Sequence, residues 1–397
     1  MSFWTRWWPN RERKASRLAN LIAWQSFPRP QWGARDTVSL ARVGFQRNVV
    51  AYRCVRMIAE AAASVPWQLL ENGALMERHP LLDLLARPNA TQSGPDLLED
   101  WYSWLQVAGN SYMEVVAEEE APRELYVLRP DRMQLVPGRS GWPAAYEYTV
   151  DGRSLRFVAE PGKQRPILHL ALFHPLDDHY GFSPLEAAAA SVDLHNAASG
   201  WNKALFDNAA RPSGALVYRG TESNPNMTEE QFARLKTELE QNFQGQRNAG
   251  RPLLLEGGLE WTPLSLTPQD MDFIAAKHAA AREIALAFGV PPMLLGIPGD
   301  NTYANYAEAN RAFWRQTVLP LAERSARAMS HWFQPSFVGK TILLRCQLDG
   351  VPALAEERER LWRRVRYASF LTVNEKRRLV GLTPLPEGDA PPSETNG

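Results

Sequence analysis

Apolar positions early in the chain recur at helical spacing. Ala51, Val55, Ile58, Ala62 and Val65 fall on one stripe, predicting a helix over 48–65 that Pro66 stops. Leu97, Trp101, Trp104 and Leu105 predict a second helix over 95–107. From 111 to 172 the period drops to two. Runs such as Tyr112–Val116 and Tyr146–Val150, separated by Pro/Gly turns, predict β-strands. Ser183-Pro184-Leu185-Glu186 has the form of a capping box with proline at the first helical position, opening a helix to about Ala209. Thr267-Pro268-Gln269-Asp270 opens another that ends at Gly289, before Pro291 and Pro292. At 1.5 Å per residue these helices are roughly 39 and 30 Å long. Between them lie a strand at Gly214–Tyr218, a helix capped by Thr228 with Gln231, and a strand pair around Pro252–Leu264. Both long helices are rich in Ala, Ser and Gly. That gives good helix propensity and also lets helices approach closely.

Residues 296–305 are a polar, Asn-rich loop before a long helix from about Tyr306 to Phe333, with Tyr306, Phe313, Leu321 and Phe333 as expected contacts. Pro320 cannot donate to the carbonyl of Gln316, so a kink is expected there. A strand over Thr341–Leu348 precedes a basic helix starting near Glu356, and Thr372-Val-Asn-Glu375 caps a last helix. Residues 1–45 show no clear period and are expected to form an extended arm.

Composition narrows the class. A length of 397 residues suggests two or three domains or one elaborate subunit. No run reaches the ~18–20 apolar residues of a membrane helix, and the first ten residues lack a secretory apolar core. Cys54 and Cys346 are the only cysteines, too few for a disulfide framework, so a soluble protein of a reducing compartment is expected. The 44 basic residues, 37 of them Arg, balance 44 acidic ones. A neutral chain is not built to grip duplex DNA along many phosphates. Residues 1–56 nevertheless carry eleven basic side chains against Glu12 and Asp36, which suggests either a polyanion nearby or a solvated arm.

Enzyme signatures are incomplete. Gly339-Lys340-Thr341 resembles the end of a phosphate loop, but Gln334 stands where its first Gly belongs. Gly181-Phe-Ser183-Pro-Leu185 lacks the second Gly of a nucleophile elbow, and Ser183 is better explained as a cap. His169, His174, Asp177, Asp178 and His179 lie within eleven residues. They could converge on a metal, yet at a strand end followed by a turn such residues serve local turn chemistry. His195, His278 and His331 are lone helical histidines suited to packing.

Several segments, in order, resemble the portal proteins of tailed bacteriophages, in the long-tailed branch also found in gene transfer agents. They are Val49–Pro66, His79-Pro-Leu-Leu-Asp-Leu-Leu-Ala-Arg-Pro-Asn89, Gly109-Asn-Ser-Tyr112, Ile167-Leu-His169, Gly181-Phe-Ser-Pro-Leu185 and Phe206–Gly214. The strongest is Ile284-Ala-Leu-Ala-Phe-Gly-Val-Pro-Pro-Met-Leu-Leu-Gly296, followed by Asn305-Tyr-Ala-Glu308, Asn374-Glu375 and Gly381-Leu382. Each is weakly specific alone; their order and spacing together are highly specific.

The resemblance implies an α+β portal fold with wing, stem, clip and short crown, assembling as a ring, expected to be a dodecamer. It divides the chain into an arm (1–45), a wing (46–182), stem helix 1 (183–209), a clip (210–266), stem helix 2 (267–290), a tunnel loop (291–305), a wing-bracing kinked helix and strand (306–353), and a crown with the C-terminal tail (354–397). It implies a non-catalytic channel without metal or cofactor, at one capsid vertex of a virion or phage-like particle, made in the bacterial cytoplasm. Implied partners are copies of itself, double-stranded DNA, the terminase large subunit that supplies the motor, the major capsid protein and a head–tail adaptor. Gly299, Asp300, Asn301, Thr302, Tyr303 and Asn305 would approach DNA from the tunnel loop. Arg358, Arg360, Arg363, Arg364, Arg366, Arg377 and Arg378 would meet DNA or a neighbouring subunit in the crown. Ser183, Glu186, Thr267 and Asp270 would cap the stem helices.

Ring geometry agrees. With helices ~10 Å apart, twelve leave a bore of about 28 Å and six one of about 9 Å, against a B-DNA diameter of roughly 20 Å. Two other readings use different residues. One is a metal-dependent hydrolase or nuclease built on His169–His179, and the other a monomeric DNA-binding adaptor using the basic N-terminal arm.

Overall fold

The computed structural model describes residues 36–118, 121–138, 142–160, 163–207, 214–218, 259–263, 273–298, 303–382 and 384–390, with isolated helical positions 230, 233, 234 and 237. The chain starts with α1 (Thr37–Ser39), which continues as a π-helical stretch at Leu40–Phe45. Asp36 caps it by accepting from Ser39 N–H at 2.7 Å, and Leu40 and Gly44 are buried. Residues 37–45, expected as the end of an extended arm, are helical: Leu40 gains burial in the core, and that outweighs the weak local pattern. Residues 1–35 lie outside the described residues.

Helix α2 (Val49–Ala63) and helix α4 (Gly94–Ala108) pack against each other and anchor the main core. The α2 stripe read from the pattern is buried as expected, and Cys54 and Ala59 extend it. Asn48 caps α2 and accepts from Val50 N–H and Ala51 N–H, each at 3.0 Å. Ser93 and Asp96 cap α4, with Ser93 N–H and Oγ both donating to the Asp96 carboxylate. Between these helices run β1 (Trp67–Glu71), β2 (Ala74–Met76) and α3 (Pro80–Ala86).

The remaining strands before the helical half are β3 (Asn110–Glu118), β4 (Ala121–Leu128), β5 (Met133–Pro137), β6 (Pro143–Val150), β7 (Arg153–Val158) and β8 (Ile167–Ala171). They form two antiparallel three-stranded sheets, ordered β4–β3–β8 and β5–β6–β7. Tyr112, Met133, Phe157 and Ile167 make a small second core between them.

The first long helix is broken. A single turn, α5 (Pro184–Ala187), is followed by α6 (Ala189–Asp207), with Ala188 between them outside the helical region. The sequence pattern predicted one helix; buried Leu185 pins the opening turn where it would meet Gly44 if that glycine had a Cβ. Helix α7 (Phe273–Ala287) packs along α6. The short strands β9 (Gly214–Tyr218) and β10 (Leu259–Pro263) fall at the predicted 214–218 strand and inside the 252–264 region, but they pair antiparallel with each other, a pairing the sequence pattern did not predict. Most of the helix expected after Thr228, and the 267–272 helix start, lie outside the described residues.

Helix α8 (Tyr303–Phe313) is continued by a π-helical turn at Trp314–Val318 and then by α9 (Leu319–Phe333). The π turn absorbs Pro320: Leu319 N–H bonds back to the Trp314 carbonyl, five residues earlier, so the missing proline donor falls at the start of a fresh helical segment. Phe313 and Phe333 are buried as expected. Tyr306 is 51% exposed, a correction: it lies on the Phe313 stripe but about 10 Å nearer the helix start, beyond the edge of the core.

Strand β11 (Ile342–Cys346) returns across the molecule to pair with β1, giving a sheet ordered β11–β1–β2. Helices α10 (Ala355–Tyr367) and α11 (Val373–Leu379) close the described chain, and Thr372 and Glu375 form the predicted capping box.

Candidate functional site

Three short segments that carry the family resemblance meet at one junction. Gly109, in the left-handed region at φ 70°, ends α4 and turns the chain into β3. A Cβ on Gly181 would sit 2.0 Å from the Gly109 carbonyl oxygen, so only two glycines permit this approach. Asn110 locks it. Its Oδ1 accepts from Gly181 N–H at 2.8 Å and from His169 Nε2 at 3.0 Å, and its Nδ2 donates to the Ala108 and Gly181 carbonyls. His169 stacks on Tyr112, with ring centroids 4.3 Å apart. Burial, with a smaller push from His179, lowers the His169 pKa to about 3, so the ring is neutral and carries its proton on Nε2.

The histidine–aspartate cluster is a set of local turns. His174 Nδ1 accepts from Leu176 N–H at 3.0 Å, and Asp177 Oδ1 accepts from His179 and Tyr180 N–H at 2.8 and 2.9 Å. Among the described residues no group of three His, Cys, Asp or Glu side chains is placed to hold a metal ion. The hydrolase reading is withdrawn, because His169 is spent on Asn110 and Asp177 on its own turn.

The α6–α7 pair uses its small residues against each other. Ala189 and Ala198 on α6 and Ala280, Ala281 and Ala285 on α7 are buried, and Ser191 Oγ donates to Glu283 across the pair. Among the expected caps, Ser183 Oγ accepts from Glu186 N–H at 2.9 Å, while Thr267 and Asp270 lie outside the described residues. The cap of α2 reaches α6 as well. Asn48 Nδ2 lies 3.2 Å from His195 Nδ1 and donates to Asn196 Oδ1 at 3.1 Å, and Asn196 donates to the Val43 carbonyl. His195 is buried, which lowers its pKa with help from Lys277 and His278, and it serves as the packing residue expected.

After α7, Pro292–Leu295 form a 3₁₀ turn closed by Gly296 at φ 72°. Gly299, Asp300, Asn301 and Thr302 lie outside the described residues. Tyr303 and Asn305, expected in the loop, belong to α8, which starts three residues earlier than predicted. Polar residues in a first helical turn resemble loop residues in sequence, and the pattern could not separate the two.

The expected crown arginines sit on α10 and α11. Arg358, Arg360, Arg363, Arg364 and Arg378 line a groove of about 1330 Å³ between these helices and the α9–β11 face; Arg366 and Arg377 do not. Sequence reasoning missed the other wall, made by Arg315 in the π turn, Arg327 on α9 and Arg345 on β11. They are scattered over thirty residues of chain, and no local signal groups them. The helices are held by ion pairs: Arg311 bonds both Glu308 and Glu356, and Arg315 lies 3.2 Å from Glu357.

Comparisons with known proteins complete the picture. Residues 49–381 match the family model described as phage portal protein. Chains from the neck of a gene transfer agent particle are 54% identical. They cover 92% of this chain and 99% of their own, with a TM-score of 0.73 for the empty particle computed with C6 symmetry and 0.71 for the native particle computed with C12 symmetry. A protein of Rickettsia bellii (strain RML369-C) is 41% identical over 98% of this chain and 99% of its own. The portal protein of Enterobacteria phage HK97 is 26% identical over 85% of this chain and 79% of its own.

Proposed function

Because the chain belongs to the phage portal protein family, we propose that twelve copies close into a ring at one vertex of a phage-like particle and form the channel for double-stranded DNA. The observation that carries this reading is the 54% identity, over nearly the whole chain, to a component of a particle neck computed with C12 symmetry. In this ring α6 and α7 act as the stem and the segment between them as the clip. The tunnel loop runs from residue 291 to the start of α8, with Gly299 to Thr302 and the first turn of α8 nearest the DNA. The sheets built on β1 to β8, braced by α8, α9 and β11, act as the wing, and residues 354–397 act as the crown.

The part is structural. A separate terminase drives the DNA, the capsid protein surrounds the ring, and an adaptor joins it to the tail. The 44-to-44 charge balance supports a conduit, since many strong phosphate contacts in a bore would trap the DNA. The ring forms after synthesis in the bacterial cytoplasm and resides in the finished particle. Mass measurement with negative-stain imaging of the purified protein tests this. Twelve copies of a 44.8 kDa chain give a particle of about 540 kDa with a central opening. Closed assemblies of six or fewer subunits, too narrow for duplex DNA, would contradict it.

A further inference from the structure

The groove between α10–α11 and the α9–β11 face holds eight arginines and two glutamates, Glu323 and Glu357, in a chain whose total charge is zero. The concentration has a local origin. Helix α10 carries Glu356, Glu357 and Glu359 near its start and only basic charges afterwards, an order that complements the helix dipole. Its acidic start pairs with Arg311 and Arg315 and docks the helix, which leaves the basic part over the groove. The groove also holds an aromatic surface: Trp362 is 44% exposed, with the Arg358 guanidinium 6.0 Å from its ring centre. Ion pairs within the groove are exposed ones. Five of the eight arginines are paired, in Arg315–Glu357, Arg327–Glu323, Arg360–Glu356, Arg363–Glu359 and Arg378–Asp389, with side chains mostly more than half accessible; exposed pairs contribute little, so a stronger anion can displace them.

We propose that this groove is a binding site for the phosphodiester backbone of double-stranded DNA, distinct from the channel itself. Thirteen residues of α10 span about 20 Å, the length over which one DNA strand presents roughly six phosphates. Guanidinium groups offer planar paired donors suited to phosphate oxygens. An acidic segment of a second copy fits less well, because the longest acidic run in the chain is Glu118-Glu119-Glu120, three charges against eight arginines. The proposal rests on the portal reading only in taking duplex DNA as the polyanion at hand.

The test is binding of a fluorescent 20-base-pair duplex to the full chain, titrated from 50 to 200 mM salt. R345A/R364A/R378A removes one arginine from β11, α10 and α11 each. Its log–log salt slope should be shallower than that of the unaltered protein by about two to three units, with affinity at 0.1 M salt reduced about tenfold or more. R345K/R364K/R378K keeps the charges and should restore most of the slope. R153A/R156A, exposed on β7 and outside the groove lining, should leave the slope unchanged. A triple variant that binds like the unaltered protein, or a control variant that loses as much, overturns the proposal. Displacement of the duplex by poly-glutamate at equal charge concentration would overturn it in favour of an acidic protein segment.

The mass of each sample separates this question from ring formation. Assembled rings whose DNA binding ignores the triple substitution refute the groove and leave the portal reading standing. Failure of the unaltered protein to assemble counts against the portal reading, while the difference in salt slope still decides the groove.

Discussion

Asn110 uses both of its amide atoms twice, and its oxygen accepts from the His169 ring, which burial keeps neutral. Burial makes a charge on that ring costly. The sign of the pH dependence follows. The folded pKa of about 3 lies below the ordinary value of 6.5, so between the two the unfolded chain binds the extra proton. This contribution to stability is fully present above pH 6.5 and is lost as pH falls. Urea unfolding should show about 2 kcal/mol less stability at pH 5 than at pH 7 from this residue, and His169→Gln should flatten that part of the curve. Cys54 and Cys346 are also controlled by burial, with both thiols pushed up to about 12; a nearby Glu323 carboxylate adds to the shift at Cys346. Neither should react with a thiol reagent at pH 8 in the folded protein, and both should react in denaturant. The buried stripe of α2 was legible from spacing alone, apart from Cys54 and Ala59, which the structure adds to it. The partnership of Asn110, His169 and Gly181 was not, because it joins residues up to 71 positions apart.

Whole elements respond to the same close approach in a graded way. Gly181→Ala would drive a Cβ into the Gly109 carbonyl, and separating β3 from the start of α5 should cost about 3 kcal/mol, read as a lower urea midpoint. Gly200 is the contrasting case. It lies inside α6 with nothing within 4 Å of a Cβ, so Gly200→Ala should stabilise by about 0.5–1 kcal/mol through helix propensity alone. Proline at 320 shows why boundaries shift between pattern and structure. A kink was the reasonable expectation from a proline inside an apolar period. The chain inserts a π turn at Trp314–Val318 just before that proline, which keeps Val318 buried while the helix restarts. Thr317 Oγ in that turn donates to the Gly289 carbonyl at 2.6 Å, so the same turn ties the chain just after α7 to the α8–α9 segment.

At the level of the whole molecule, neutrality and ring geometry act together. Averaged end-on images of the assembled protein should show an opening of about 28 Å, as expected for twelve helices spaced ~10 Å apart, and duplex DNA of roughly 20 Å passes with room for solvent. Exposed apolar side chains on the outer faces of the helix pair, Leu194 and Trp201 on α6 and Ile274 and Leu286 on α7, are available for burial between copies in such a ring. The arginine groove is lined from α9, β11, α10 and α11, apart from the α6–α7 pair.

Periodicity, caps and ordered short motifs were enough to predict the main helices, several strands and the family, because each depends on residues within a turn or two of one another. Long-range packing decided the rest. It curled residues 37–45 into the core, split the first long helix at Ala188, moved the start of α8 to Tyr303, and paired β11 with β1 from opposite ends of the chain. It also converted a metal-like histidine cluster into turns and set three scattered arginines, Arg315, Arg327 and Arg345, against the five of α10 and α11 in one groove. Those outcomes turn on which surfaces meet, and burial energy shared between distant segments leaves no trace in local spacing.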